Sequence, residues 1–215
     1  MTNTAHRHTT FKKLLLPMKV GGLCGVITVA VKSRLIDPSP GFSASALFAG
    51  TVGVIYIITA LAVLWGVFFP DAGAKFLNVE DAEELREKKA KLVYSVVGAT
   101  AIGLALLIMA MSGPGGWIAP TFGAILAIGL IALGVILSKF IDRHSDELQQ
   151  VLSREAMALS FVLTALIGGG WAILANTKLL PTPAPLDWLT LIAVTLIFAV
   201  FWQWGKRGML TRGPN

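Results

Sequence analysis

The stretch KFIDRHSDELQQVLSREAMALSF, Lys139 to Phe161, decides how the chain folds. It is a charged, helix-forming turn set between two long apolar runs. A second turn of the same kind, KFLNVEDAEELREKKAKLVYS, covers Lys75 to Ser95. Outside these turns charge is scarce. Of the 215 residues, 55% are hydrophobic and only 14% charged, and the mean hydropathy is +0.73. A soluble domain carries about 25% charged residues. Here the deficit lies in runs long enough to cross a bilayer, which points to lipid rather than to a large aqueous-phase core.

Working outward from the turns, the chain divides into six apolar spans, near residues 14–31, 42–69, 92–111, 117–138, 156–176 and 188–204. The predicted fold is all-α: a polytopic membrane bundle of six transmembrane helices paired as three hairpins on the outer side. Residues 1–13 and 206–215 are tails. The first span is the weakest, because Pro17 and Lys19 interrupt it and its clean part, Val20 to Val31, falls short of the roughly 20 residues a crossing needs. It lacks a small-residue cleavage pattern, so it is read as a retained span. Cys24, the sole cysteine, falls inside it, which rules out an intrachain disulfide.

Basic residues decide between five and six spans, since they collect on the cytoplasmic side. With six spans, all of the 18 Lys and Arg except Lys32, Arg34 and Lys178 share a side with both termini and both charged turns. With five, the basic N-terminus is stranded outside. Six spans with both ends cytoplasmic is the better reading. Trp65, Trp117, Trp188, Trp202 and Trp204 sit near predicted span ends, where an indole is half wetted.

Each charged turn is expected to be helical and continuous with the span that follows. Glu84–Lys88 and Glu87–Lys91 are i,i+4 pairs in the favourable order. Asn78 is a candidate cap for the first helix and Ser145 for the second, with Asp146 and Glu147 in the first turn, where the helix dipole favours acids. Leu148, Val151, Leu152 and Leu159 form one stripe with Glu155 in its middle. Ala82, Leu85, Val93 and Val96 form another with Lys89 in its middle. Two readings stand: a Lys89–Glu155 ion pair between the helices, or two charges that each reach water.

The turns also align with each other. Lys75-Phe76-Leu77 matches Lys139-Phe140-Ile141 at a spacing of 64, and Ala90, Val96, Ala99 and Gly103 match Ala156, Val162, Ala165 and Gly169 at 66. Either a two-span unit is duplicated or common span residues coincide. Small residues recur four apart at Gly21/Gly25, Ala49/Gly53, Ala99/Gly103, Gly123/Ala127 and Gly168/Ala172, a pattern that lets helices approach closely. The run Gly168, Gly169, Gly170 has two readings: backbone contact with a neighbouring helix, or an unwound segment for a ligand.

The spans hold no Asp, Glu, Arg or His, and Lys19 is their one marginal charge. Proton relays and intramembrane aspartyl proteolysis need ionisable groups at depth. Serines such as Ser95 and Ser160 have no histidine base in the spans, because the histidines are His6, His8 and His144. Neither His6-x-His8 nor the Asp142, His144, Asp146 turn is taken as a metal site. No cofactor, metal or nucleic acid is expected.

Asp146, Glu147, Gln149, Glu155 and Ala156, followed by a span, a proline loop, Trp188, a last span and Lys206-Arg207, form a recognisable series. From Asp146 to Arg207 the chain resembles small, uncharacterised bacterial inner-membrane proteins with an Asp-Glu-x-Gln…Glu-Ala turn entering a span. Those proteins often carry basic residues just after the Gln, where this chain has Gln150. The resemblance implies a multi-pass protein of the bacterial inner membrane and no particular activity. The expected role is a non-enzymatic regulatory or accessory membrane subunit that meets a protein partner. The partners expected are the bilayer, another membrane or cytoplasmic protein, or further copies of the chain. The alternative is a small transporter or permeation component acting as an oligomer, and an intramembrane enzyme ranks third. The residues expected to carry interaction or structure are Lys89, Asp146, Glu147, Glu155, Gly168, Gly169 and Gly170.

Overall fold

Backbone polarity dictates the architecture. A chain in hydrocarbon must satisfy its own N–H and C=O groups, and a helix does so within one segment. The computed structural model describes residues 43–69, 83, 86, 89–112, 116–143 and 145–206. Their regular structure is five helices: α1 (Ala44–Phe68), α2 (Lys89–Met111), α3 (Pro120–Arg143), α4 (Glu147–Asn176) and α5 (Pro185–Lys206). Each is long and apolar enough to cross a membrane. They coincide with the predicted second to sixth spans. The predicted first span, Asn78, and Glu84, Glu87 and Lys88 of the expected i,i+4 pairs lie outside the described residues.

Helix ends follow local chemistry. Ser43 Oγ accepts from Ala46 N at 3.1 Å and caps α1. Pro120 and Pro185 open α3 and α5 at the first helical position, where the missing N–H costs nothing. Asp187 Oδ2 reaches back to accept from Ala184 N at 2.7 Å, tying down the start of α5. At the other end of that loop Lys178 takes a left-handed conformation, φ 61. Leu179 N then donates to Leu174 O at 3.0 Å, closing the last turn of α4.

The turn between α3 and α4 differs from expectation in its cap. Asp146, not Ser145, holds the extended capping position of α4. Ser145 Oγ donates backwards to Ile141 O at 2.7 Å. Gln150 Nε2 donates to the carbonyls of Asp142 (3.1 Å) and Ser145 (3.0 Å), satisfying acceptors that the end of α3 leaves open. The charged turn is otherwise continuous with its span, as expected: α4 is one helix of 30 residues.

The helices pack in the order α3, α2, α1, α5, α4, with a lesser contact between α2 and α5. The α2–α3 and α4–α5 pairs are the expected hairpins. Between α1 and α2 backbone meets backbone at two glycines. A Cβ placed on Gly53 would lie 2.7 Å from Gly103 O, and one on Gly103 would lie 2.7 Å from Gly53 O. Around this crossing a core forms from Ala46, Ala49, Val52, Tyr56, Leu106, Ala110 and Ala193. Gly123 gives α3 its approach: a Cβ there would overlap Ser112 Oγ at 1.9 Å.

Two sequence readings change. The stripe centred on Glu155 overlaps the packing face of α4 only at its edge, through buried Leu152 and half-buried Glu155 and Leu159. The residues α4 buries are Leu152, Ala156, Ser160 and Gly168, while Leu148 and Val151 are exposed. At about 100° per residue this face is turned roughly a quarter turn from the expected one. Large apolar residues mark the predicted stripe, but lipid takes large apolar residues as readily as protein does. The 64/66 repeat is likewise not expressed as equivalent packing. The α1–α2 pair is closely packed, whereas α3 and α4 are not among the packed pairs. Gly103 is pressed on Gly53, while a Cβ on its counterpart Gly169 would meet nothing within 4 Å.

Gly103→Val forces a side chain into a backbone carbonyl and is expected to lower stability in detergent by about 1–3 kcal/mol. Gly169→Val, on an open helix side, is expected to change it by less than about 0.5 kcal/mol. Equal effects in reversible unfolding would remove the α1–α2 crossing from the description.

Candidate functional site

The candidate residues fall in two places, the charged end of the bundle and the hydroxyl contacts along its length. At the charged end α2 and α4 both begin. Lys91 Nζ donates to Gln149 Oε1 there, joining the two helix starts. Tyr94 and Phe140 bring α2 and the end of α3 together, with ring centroids 5.9 Å apart. Arg143 Cζ stands 5.8 Å from the centroid of the Phe140 ring.

Lys89 is exposed on the first turn of α2, and Glu155 is half-buried two turns into α4. Asp146 and Glu147 are exposed at the start of α4. Lys89 and Lys91 are about 200° apart around the helix, so the face that turns Lys91 toward α4 turns Lys89 away. The geometry therefore favours the Lys91–Gln149 contact as the link between these helices. Sequence reasoning passed over that pair because a lysine facing a glutamine carries no charge-pair signature.

Within the spans, polar side chains act between helices. Tyr56 OH on α1 donates to Ala193 O on α5 at 2.8 Å in a buried position. Thr195 Oγ1 donates to Ile192 O at 3.1 Å. Its one proton is thereby used, so it accepts from Ser160 Oγ (3.1 Å) and Thr164 Oγ1 (2.7 Å) across the α4–α5 interface. Among the described residues no buried side-chain nitrogen or oxygen lacks a partner. The Ser160-x3-Thr164 spacing was a visible signal, since i and i+4 share a face. Nothing in sequence marked Thr195 as its counterpart.

The glycine run separates into two roles. α4 is helical through Gly168, Gly169 and Gly170, so the unwound alternative is set aside. Gly168 is buried under Trp188, where a Cβ would lie 2.5 Å from the indole ring. Gly169 and Gly170 have open space. Beside this contact Trp171 Nε1 donates to Pro181 O at 3.0 Å. A shallow notch lies between Trp171, Asp187 and Trp188, with no room for even a water molecule.

The described His, Cys, Asp and Glu residues form no group of three in metal-holding positions. His6, His8 and His144 lie outside the described residues.

Two double-mutant cycles separate the charged-end pairings. Lys91→Ala with Gln149→Ala is expected to show coupling of about 1 kcal/mol. Lys89→Ala with Glu155→Ala is expected to be additive within about 0.5 kcal/mol. Reversed couplings in detergent unfolding would restore the Lys89–Glu155 pair. The chain matches no protein-family model, no curated protein and no solved structure.

Proposed function

We propose that the chain is a non-enzymatic, multi-pass subunit of a bacterial inner membrane, an accessory or regulatory protein that meets another membrane protein along its helices. The observation that carries this reading is the one-sided packing of the flanking helices. α3 buries only Gly123 and Ala127, and α4 only Leu152, Ala156, Ser160 and Gly168. The remaining length of both presents apolar side chains outward, among them Ile125, Ile128, Phe161 and Leu166. Such surfaces suit lipid or a partner helix. The use of Tyr56, Ser160, Thr164 and Thr195 as fasteners supports a holding role, because each of these hydroxyls already has its bond within the bundle.

The proposed topology has both termini in the cytoplasm, with the Lys91–Gln149 end on that side. The concentration of Lys and Arg in the two charged turns and the tails supports it.

One preparation tests both parts. A reporter fused after Asn215 should read the cytoplasm and one in the 177–184 loop the opposite side. Solubilisation in mild detergent should then recover a stoichiometric membrane-protein partner. Reporters on the same side would overturn the topology. A chain that purifies without a protein partner but retains a transported small molecule would overturn the accessory role.

A further inference from the structure

The charged-turn end of α3 carries two cations on an exposed face. Ile125, Ile128, Val135, Ile136, Lys139 and Arg143 all fall within about 100° of arc, and all are exposed. The residues α3 buries, Gly123 and Ala127, lie on the opposite side. The stripe therefore runs along hydrocarbon and ends in two positive charges one helical turn apart. Lys139 and Arg143, at i and i+4, have Cβ atoms about 5–6 Å apart, close enough to share one phosphate.

Arg143 is not a loose surface arginine. Its guanidinium stands over the Phe140 ring at 5.8 Å. Phe140 in turn meets the ring of Tyr94 of α2 in a tilted contact, at 5.9 Å and 34°. A guanidinium held over an aromatic face keeps its N–H fork free for a second partner. Asp142 flanks the pair, about 60° round from Lys139, and leaves the patch a net single positive charge. Tyrosine and arginine at this depth are suited to the headgroup layer.

We propose that Lys139 and Arg143 hold the phosphate of one anionic phospholipid, whose acyl chain lies along the Ile136, Ile128, Ile125 stripe of α3. The charge complementarity is with an anionic headgroup; a zwitterionic lipid brings its own cation next to the pair. The site requires only that α3 span the bilayer. It does not depend on which side is cytoplasmic or on the accessory role.

The test is native mass spectrometry of the detergent-purified full chain, titrated with phosphatidylglycerol and with phosphatidylcholine. Lys139→Gln and Arg143→Gln should each weaken the first phosphatidylglycerol adduct about fivefold, the change expected for removing one cation near an anionic headgroup, and leave phosphatidylcholine binding unchanged. Arg154→Gln, an exposed cation on α4, should leave both unchanged. Unfolding of each variant without lipid checks that the bundle is intact. Equal affinity for the two lipids, no loss in the α3 variants, or an equal loss in Arg154→Gln would overturn the site.

Discussion

The fold depends on two glycine backbones meeting in place of side chains. At Gly53 and Gly103 the α1 and α2 helices come so close that a single methyl on either would strike the other's carbonyl. Lipid tails are as apolar as leucine, so a membrane helix gains little by hiding leucine from them. It gains from close dispersion contact between smooth surfaces. Once α1 and α2 are set at this distance, Ala49, Leu106 and Ala110 close around the crossing. Tyr56 is then brought to Ala193, which fixes α5 against α1. α3 is added on α2, by Gly123 on Ser112, and α4 mainly on α5, by Gly168 under Trp188.

The polar side chains of the described spans complete this assembly. A hydroxyl in hydrocarbon must find an acceptor, and the nearest is its own helix or an adjoining one. Thr51 and Thr59 bond back to Leu47 O and Ile55 O within α1, whereas Ser160, Thr164 and Thr195 bond between helices. Interhelical bonds of this kind contribute about 0.6 kcal/mol each, a modest gain in energy. Their larger effect is on register, because a hydroxyl cluster is satisfied at one alignment of α4 and α5 and unsatisfied at the next. At the charged end Lys91–Gln149 and Tyr94–Phe140 fix the helix starts in the same way.

Much of this was legible in the sequence, for reasons that differ by element. The five described helices match predicted spans because length and apolarity alone dictate a helix in lipid. α4 begins well before its apolar window, at Glu147, because the charged turn has helix-forming residues and an acid in the first turn. The small-residue patterns at Ala49/Gly53 and Ala99/Gly103 pointed to the central crossing, since a membrane interface selects small residues. What could not be read was which face of α4 packs. In an aqueous protein Leu148 and Val151 would mark the buried side, but beside lipid that contrast vanishes. The glycine run was ambiguous for a related reason. Gly168 alone is needed by Trp188, and its neighbours Gly169 and Gly170 look identical in sequence. Of the candidate pair, Glu155 is half-buried at the edge of the packing face of α4 and Lys89 is exposed.

The most direct test of the central crossing is a disulfide across it. A Cβ built on Gly50 would lie 3.6 Å from Ala110 Cβ, within the range a disulfide spans, which is about 3.5–4.5 Å. In a Cys24→Ser background, Gly50→Cys paired with Ala110→Cys should oxidise rapidly and completely in native membranes. Gly50→Cys paired with Leu104→Cys, a position on the exposed side of α2, should remain reduced. Equal oxidation of the two pairs, or bridging only through Leu104→Cys, would contradict the Gly53–Gly103 packing on which the bundle is built.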